Sequence, residues 1–542
     1  MKIDQREILE KVREAFGYPN VRKPSVEEMR EEAIKHGVVT EDGSLAFFTS
    51  VRNRSARLTY LYAEDENLMN SLEWTPQRKK LLEQLPKTLE LVFEYLKKAP
   101  LIQHHRNMGV NPDFNPHMHL LFSIARRDTI RVPYMWTQSL PDFNPDLPGP
   151  ELYMVYIPEW QEKDRQIIVF PEINVTFVLG TDYYGEIKKG FLRMAMYRAK
   201  VDKGYLGLHA GAKLARVRDR NGKLRTYSIL LFGLSGTGKT THSVHPWGLN
   251  PDEGERVWIV QDDFVALRPD GSAYGTEIGF FIKTDGLERE SQPLIYDSAR
   301  KPSALLENVL VDWKGKVYFQ DLTLTGNGRG IIQWSDLGEW KSDSINLPPL
   351  SEIDGLIFLF ITRRSDILPM IQKLDPAQAA AAFMLGESIE TSAGDPTKAG
   401  QSVRVVGTNP FIVGPEDEEG NIFYDLYRGL PQDKVQAYLM NTGTIGERGN
   451  DRGTKSYKIR IRDNAAAIRA IMKGTIDWEE HPLFKTLIPK NIPDLDLNPF
   501  DLSNYYTEAT AEKLIEQLIE ERKEYMKKFS NLYPEIIKAV DI

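Results

Sequence analysis

The 542 residues contain no cysteine. That absence excludes a disulfide-stapled fold, thiolate zinc and iron–sulfur sites, and a cysteine nucleophile. Long apolar runs are missing too. The longest, ILLFGL (229–234) and LIFLFI (356–361), fall far short of the residues needed to span a bilayer, about 18–20. The opening stretch MKIDQREILEKVREAFG is charged throughout and reads as an amphipathic helix without the apolar core of a signal peptide. A soluble, cytoplasmic protein is expected, with no membrane partner. Positive charge is not in excess either. Lys and Arg number 69 against 77 Asp and Glu, a formal net charge of −8, which argues against a nonspecific nucleic-acid surface. A local basic pocket for a small anion remains compatible with that balance. No repeat of solenoid period and no long low-complexity tract is found.

What is present is ordinary globular material. Hydrophobic residues make up 41% and charged residues 27%, which rules out a disordered or fibrous chain. The length allows roughly two to four domains. A helical period runs over 77–98, with an interruption expected at Pro86. The Pro- and Asn-rich stretch 138–151 reads as loop. Strands are expected at 167–170 and 175–179, followed by a turn-like TDYYGE. After the polar turn at 218–223 come strands at 223–234, 257–263 and 355–361, and later helices at 464–474 and 507–529. Mixed strands and helices give an α/β or α+β class. The polar break near 218–225 is the expected domain boundary, dividing the chain into 1–220 and 221–542.

One motif carries chemistry by itself. Gly233-Leu234-Ser235-Gly236-Thr237-Gly238-Lys239-Thr240 fits G-x-x-x-x-G-K-[ST], and Thr241 follows. The pattern arises by chance in roughly one chain in 50 of this length, so its context matters. An apolar run precedes it and a helix-compatible TTHSVH follows until Pro246. Glycines let the backbone fold into a nest of N–H groups, and the helix N-terminus adds its dipole, so the loop suits phosphate. Lys239 is placed at the β/γ-phosphates and the Thr240 hydroxyl on Mg²⁺. The run VWIVQDD supplies Asp262 and Asp263 at a strand end, where such sites hold the metal.

With GEIKKG (185–190), LHAGAKL (208–214), LLENVLVD (305–312), Thr325-Gly-Asn-Gly-Arg329, MNTG (440–443), YKIRIRDNAAAI (457–468) and LFKTLIP (483–489) in this order, the chain resembles ATP-dependent phosphoenolpyruvate carboxykinase over nearly its whole length. The resemblance implies a two-domain α/β carboxykinase-like fold whose C-terminal part is a P-loop mononucleotide-binding domain. It implies conversion of oxaloacetate and ATP to phosphoenolpyruvate, CO₂ and ADP, with Mg²⁺ on the nucleotide and Mn²⁺ at the substrate. By position, Lys189, His209 and Asp263 are the Mn²⁺ ligands, with Asp262 and Thr240 also on the metal side. A Lys ligates only when neutral, and a nearby dication with burial lowers its pKa; the mixed N/O set suits Mn²⁺ better than Ca²⁺. Arg329 falls at the transferring phosphoryl group, Arg54 at the substrate and CO₂, and Tyr183 at the carboxylate of phosphoenolpyruvate. Glu277 falls at the ribose, and Lys458 and Asn464 stand where Arg and Thr usually flank the adenine. The segment 386–400, rich in small and polar residues, matches the family's mobile lid.

The sequence also departs from the family. Within the divergent stretch 49–58, the family's TGRSPKDK segment is here VRNRSARL (51–58), with Asn53 before Arg54, Ala56 where Pro is usual and Arg57 where Lys is usual, and His242 replaces an apolar residue after the loop. An alternative reading is therefore a kinase of the same fold that phosphorylates a different small molecule or a protein serine. A switch without turnover is the third. His104-His105 and His117-x-His119 are of a type that binds metal, since H-x-H on a strand faces one side. No acid pattern beside them in sequence suits a catalytic metal. The EERKEYMKK run (520–528) is expected to be a solvated face.

Overall fold

The computed structural model describes residues 3–51, 53–234, 236–323, 327–389 and 401–542, with the main chain alone for Thr240. The chain divides into two compact units. The first comprises Met1–Gly204, Thr276–Gly338 and Phe411–Pro415; the second comprises Tyr205–Gly275, Glu339–Pro410 and Glu416–Ile542. Each unit therefore draws on segments distant in sequence. The expected break near 218–225 is the turn of a hairpin, in which Leu206–Arg218 and Leu224–Gly233 pair antiparallel inside the second unit.

The first unit is built on a seven-stranded mixed sheet and a five-stranded sheet. In the larger one, Leu101–Asn107, His117–Ser123, Glu151–Ile157, Val175–Leu179 and Gln166–Phe170 are successive neighbours. Val175–Leu179 and Gln166–Phe170 are buried at every position, as their unbroken apolar runs require. The helix Pro76–Leu96 packs Leu81, Leu85, Leu89, Val92 and Leu96 inward. It runs through Pro86 without a break, contrary to the interruption its sequence suggests. The buried stripe continues on both sides of Pro86, and that burial outweighs one lost hydrogen bond. The stretch read as turn-like is in part the first turn of a helix, Tyr184–Lys203. Thirteen of that helix's residues are buried, against both sheet and neighbouring helices.

The second unit holds a ten-stranded sheet. Leu224–Gly233 lies between Leu206–Arg218, antiparallel, and Gly355–Thr362, parallel, and Val435–Asn441 extends the parallel part. Gly355–Thr362 is buried throughout, as an apolar strand covered on both faces must be. Among the described residues no helix is long and apolar enough to cross a membrane.

Candidate active site

In the first unit the site grows from the start of the helix Tyr184–Lys203. Asp182 and Glu186 flank its first turn and accept hydrogen bonds from a separate piece of chain. The Asp182 carboxylate takes the backbone N–H of Ser50 and of Val51, each at 2.9 Å. Glu186 takes the N–H of Ser55 in a short hydrogen bond. From the other side, Asn308 accepts the N–H of Thr49 at 3.0 Å. The divergent 49–58 segment is thus tied down on both sides of Arg54.

Arg54 and Lys189 meet on one ring. The Arg54 guanidinium lies 4.4 Å from the centroid of Phe411, and the Lys189 ammonium 4.9 Å from the same centroid. Phe411 is itself 2% exposed. Tyr183 is buried, and its hydroxyl is hydrogen-bonded to Arg329 and Asn327. Burial pushes that phenol up, against the opposing pull of the Arg329 charge. Gly185 makes this ring position possible: a Cβ there would collide with the Tyr183 ring carbons. Gly190 likewise admits the Met154 methyl, which a Cβ would meet at 2.5 Å. The glycines of GEIKKG thus shape the site by what they leave out.

Behind these groups lies a buried ion-pair chain. Arg131 donates to Glu307 at 3.0 Å and to Asp182 at 3.2 Å, and all three side chains are at most 1% exposed. Burial nevertheless raises the Glu307 carboxyl to about 7, outweighing Arg131. Glu277 is also buried, and its carboxylate is engaged by buried Lys188 in a short ion pair. Arg193 is lowered to about 10, by burial first and by the Arg54 charge second.

In the second unit the strand Leu224–Gly233 runs into the glycine-rich loop and then the short helix Lys239–Val244. Gly236 and Gly238 adopt φ of 85° and 96°, which only glycine takes without cost. Three outside residues brace the loop. Arg363 donates to the Gly236 carbonyl at 3.2 Å, Thr442 to the Thr237 carbonyl at 2.6 Å, and the Gly233 N–H donates to Thr408 Oγ1 at 3.2 Å. Lys239 Nζ donates to the Asp262 carbonyl at 2.9 Å. Ser235, Thr325, residues 390–400 of the expected lid and the Thr240 side chain lie outside the described residues.

Asp262 and Asp263 sit where the partner of Leu206–Arg218 changes from Arg256–Gln261 to Phe264–Leu267. His209 pairs across from Phe264, and its Nε2 comes 3.2 Å from Asp263 Oδ1. Its Nδ1 donates to the Thr408 carbonyl at 2.8 Å. A ring whose Nδ1 carries the proton offers Nε2 as a metal ligand, turned to the carboxylate. The donors suit a divalent cation of the Mn²⁺ type. Lys189, the third expected ligand, belongs to the first unit.

The remaining predicted residues fall as follows. His242 is buried, and burial first, then His245 and Lys213, hold it down to about 3. It therefore packs as a neutral ring. Lys458 is exposed on the strand Tyr457–Lys458. Asn464 is buried in the helix Ile461–Lys473, and its Oδ1 has no hydrogen-bond partner among the described residues. An amide oxygen left so is suited to an exocyclic amino group. Within the run expected to be a solvated face, Arg522 is fully buried, because Glu387 takes its guanidinium at 2.9 Å. Sequence reasoning missed Phe411, Asp182, Glu186 and Asn308. No spacing ties Phe411 to the motif helix; the two acids, however, lie one residue before and three residues after Tyr183.

A family model described as phosphoenolpyruvate carboxykinase matches residues 20–498. The chain is also similar to the phosphoenolpyruvate carboxykinase (ATP) of Aeropyrum pernix, with 35% identity over 381 residues, 69% of this chain and 71% of the relative.

Proposed function

The chain belongs to the phosphoenolpyruvate carboxykinase family, and from that membership we propose how its residues divide the conversion of oxaloacetate and ATP to phosphoenolpyruvate, CO₂ and ADP. The observation that carries the assignment of the substrate side is the pair Arg54 and Lys189 over Phe411. Two cations gathered at one ring repel each other and favour an anionic ligand, and a guanidinium fork fits a carboxylate. Arg54 and Tyr183 hold the substrate carboxylates, while Arg329 faces the transferring phosphoryl group. Lys239 and the N–H groups of 234–240 hold the nucleotide phosphates, and Lys458 and Asn464 flank the adenine. No nucleotide contact is assigned to Glu277, whose carboxylate neutralises Lys188.

Lys189, His209 and Asp263 hold Mn²⁺ in this reading, and Thr240 with Asp262 holds Mg²⁺. When bound, these ions supply Lewis-acid stabilisation of developing oxygen charge and screening of the phosphates. Loss of CO₂ from oxaloacetate leaves its electron pair as the enolate of pyruvate. The enolate oxygen then attacks the γ-phosphorus in line, and the bond to the β-phosphate oxygen breaks to release ADP. Arg329 and Lys239 neutralise charge on the moving phosphoryl group. Arg54 keeps the carboxylate oriented through both steps. The enzyme acts on these small molecules in the cytoplasm.

The test is phosphoenolpyruvate formation from oxaloacetate and ATP with Mn²⁺. Arg54→Ala is expected to damage oxaloacetate use while ATP binding persists. If oxaloacetate kinetics are unchanged in Arg54→Ala, Arg54 does not hold the substrate carboxylate and the substrate-side assignment fails.

A further inference from the structure

Three histidines and a glutamate meet on one face of the seven-stranded sheet. His105 lies directly across from His119 on the neighbouring strand, and His117 directly across from Glu151 on the next. Their outer nitrogens are committed. The Glu151 carboxylate accepts from His117 Nδ1 at 2.8 Å and, in a short hydrogen bond, from His119 Nε2. The Gln103 amide group donates to the Phe16 carbonyl at 2.8 Å, so its oxygen is the atom turned to His105 Nε2, at 3.2 Å.

Carboxylate and amide oxygens accept hydrogen bonds and do not donate them. Both Nε2 atoms therefore carry a ring proton, so a hydrogen lies between the two Nδ1 atoms only when one ring is a charged imidazolium; with both rings neutral, both Nδ1 atoms carry lone pairs. Those Nδ1 atoms face each other at 2.7 Å. Two lone pairs this close repel unless a cation lies against both.

We propose that His105 and His119 chelate a divalent transition metal through their Nδ1 atoms, with Glu151 and Gln103 as outer partners. Metal-ligating histidines characteristically donate the other ring N–H to such an acceptor, which fixes tautomer and ring orientation. Donors 2.7 Å apart and each about 2.0–2.1 Å from a metal subtend about 80°. That is nearer the ~90° of square-planar or octahedral ions than the ~109° of tetrahedral zinc, so the site favours Ni²⁺ or Cu²⁺. Among the described residues no group of three or more His, Asp or Glu is set to share one ion. The site is a two-imidazole chelate completed by solvent, and His119 reaches solvent with 13% of its side chain. Phe16, Phe143 and Tyr153 pack around the two rings and hold them in place. A bound ion would cross-link the strands Leu101–Asn107 and His117–Ser123.

The test titrates the full-length enzyme with Ni²⁺ while Mn²⁺ is kept saturating at the His209 site. Wild type is expected to take up about one further Ni²⁺ per chain and to melt a few degrees higher. His105→Ala and His119→Ala should each lose that equivalent and that shift while turnover stays unchanged. Wild-type crystals soaked in Ni²⁺ supply a readout independent of variant folding: an anomalous peak between the two rings. Equal Ni²⁺ uptake by wild type and His105→Ala overturns the proposal. So does a peak confined to His209, or ring nitrogen NMR shifts showing a shared proton that Ni²⁺ does not displace.

Discussion

Replacing Glu307 by Gln tests the buried ion-pair chain behind the motif helix. Glu307 is fully buried, and its carboxyl stands at about 7 in the native state against an ordinary 4.5. A carboxyl raised in the folded state contributes stability that is complete below its unfolded value and lost as pH rises toward about 7. At about 1.4 kcal/mol per pH unit, the whole effect is about 3 kcal/mol, of which about 2.5 kcal/mol falls between pH 5 and pH 8. Gln cannot ionise, so the variant lacks this decline. Its amide oxygen still accepts from Arg131, which also keeps Asp182 at 3.2 Å, and any cost of the exchange is therefore an offset that pH does not change. The expected result is a stability difference, Glu307→Gln minus wild type, that climbs by about 2.5 kcal/mol from pH 5 to pH 8. Denaturant titration at a series of pH values measures it. Infrared difference spectra should show a protonated carboxyl in wild type below about pH 7, absent from the variant. Parallel pH profiles, or no such carboxyl band, would refute the reasoning that burial outweighs Arg131.

Lys239→Ala should lower turnover by about 10²–10³ with the fold intact, since it removes a cation from the phosphoryl group; near wild-type turnover would contradict its assigned role. Gly185→Ala places a Cβ against the Tyr183 ring, so KM for the carboxylate substrate should rise severalfold while KM for ATP stays put, as steady-state kinetics will report. Glu387→Gln breaks a buried cluster in which Arg522, Arg404 and Arg364 surround one carboxylate, and should cost about 3–5 kcal/mol in denaturant titrations. Burial opposes ionisation of Glu387, but Arg522 and Arg364 prevail and hold its carboxyl well below the ordinary range. That stability is present above about pH 4.5 and lost as pH falls, so the variant should approach wild type under acid, as melting curves across pH will show.

The strand-to-loop-to-helix path of the glycine-rich motif was legible because its glycines, lysine and apolar strand obey local rules. So was His209 beside Asp263, since each sits in a motif of its own. Pro86 misled because propensity is local whereas the buried stripe of Pro76–Leu96 is tertiary. The Arg522 exception has the same origin: its neighbours in sequence are exposed, and its partner Glu387 is 135 residues away. The hold on Arg54 was illegible for a related reason. Departures at Asn53 and Ala56 look disruptive in sequence, yet the turn is fixed by Asp182, Glu186 and Asn308, which lie in other motifs. Phe411 gave no signal, because a lone aromatic carries no pattern until its two cations are seen around it.

Thr408 joins two places that sequence keeps apart. Its hydroxyl holds the first glycine of the glycine-rich loop and its carbonyl holds the imidazole of His209. It does so with φ of 51°, next to Gly407 at 58°, so two successive residues adopt left-handed backbone. Displacement of the loop is therefore felt at the His209 ring, the metal ligand of the proposed assignment. In the proposed assignment such a connection is a free-energy coupling, and coupling is reciprocal: whatever factor an occupied loop would add to metal affinity at His209, a bound metal would return to nucleotide affinity at the loop.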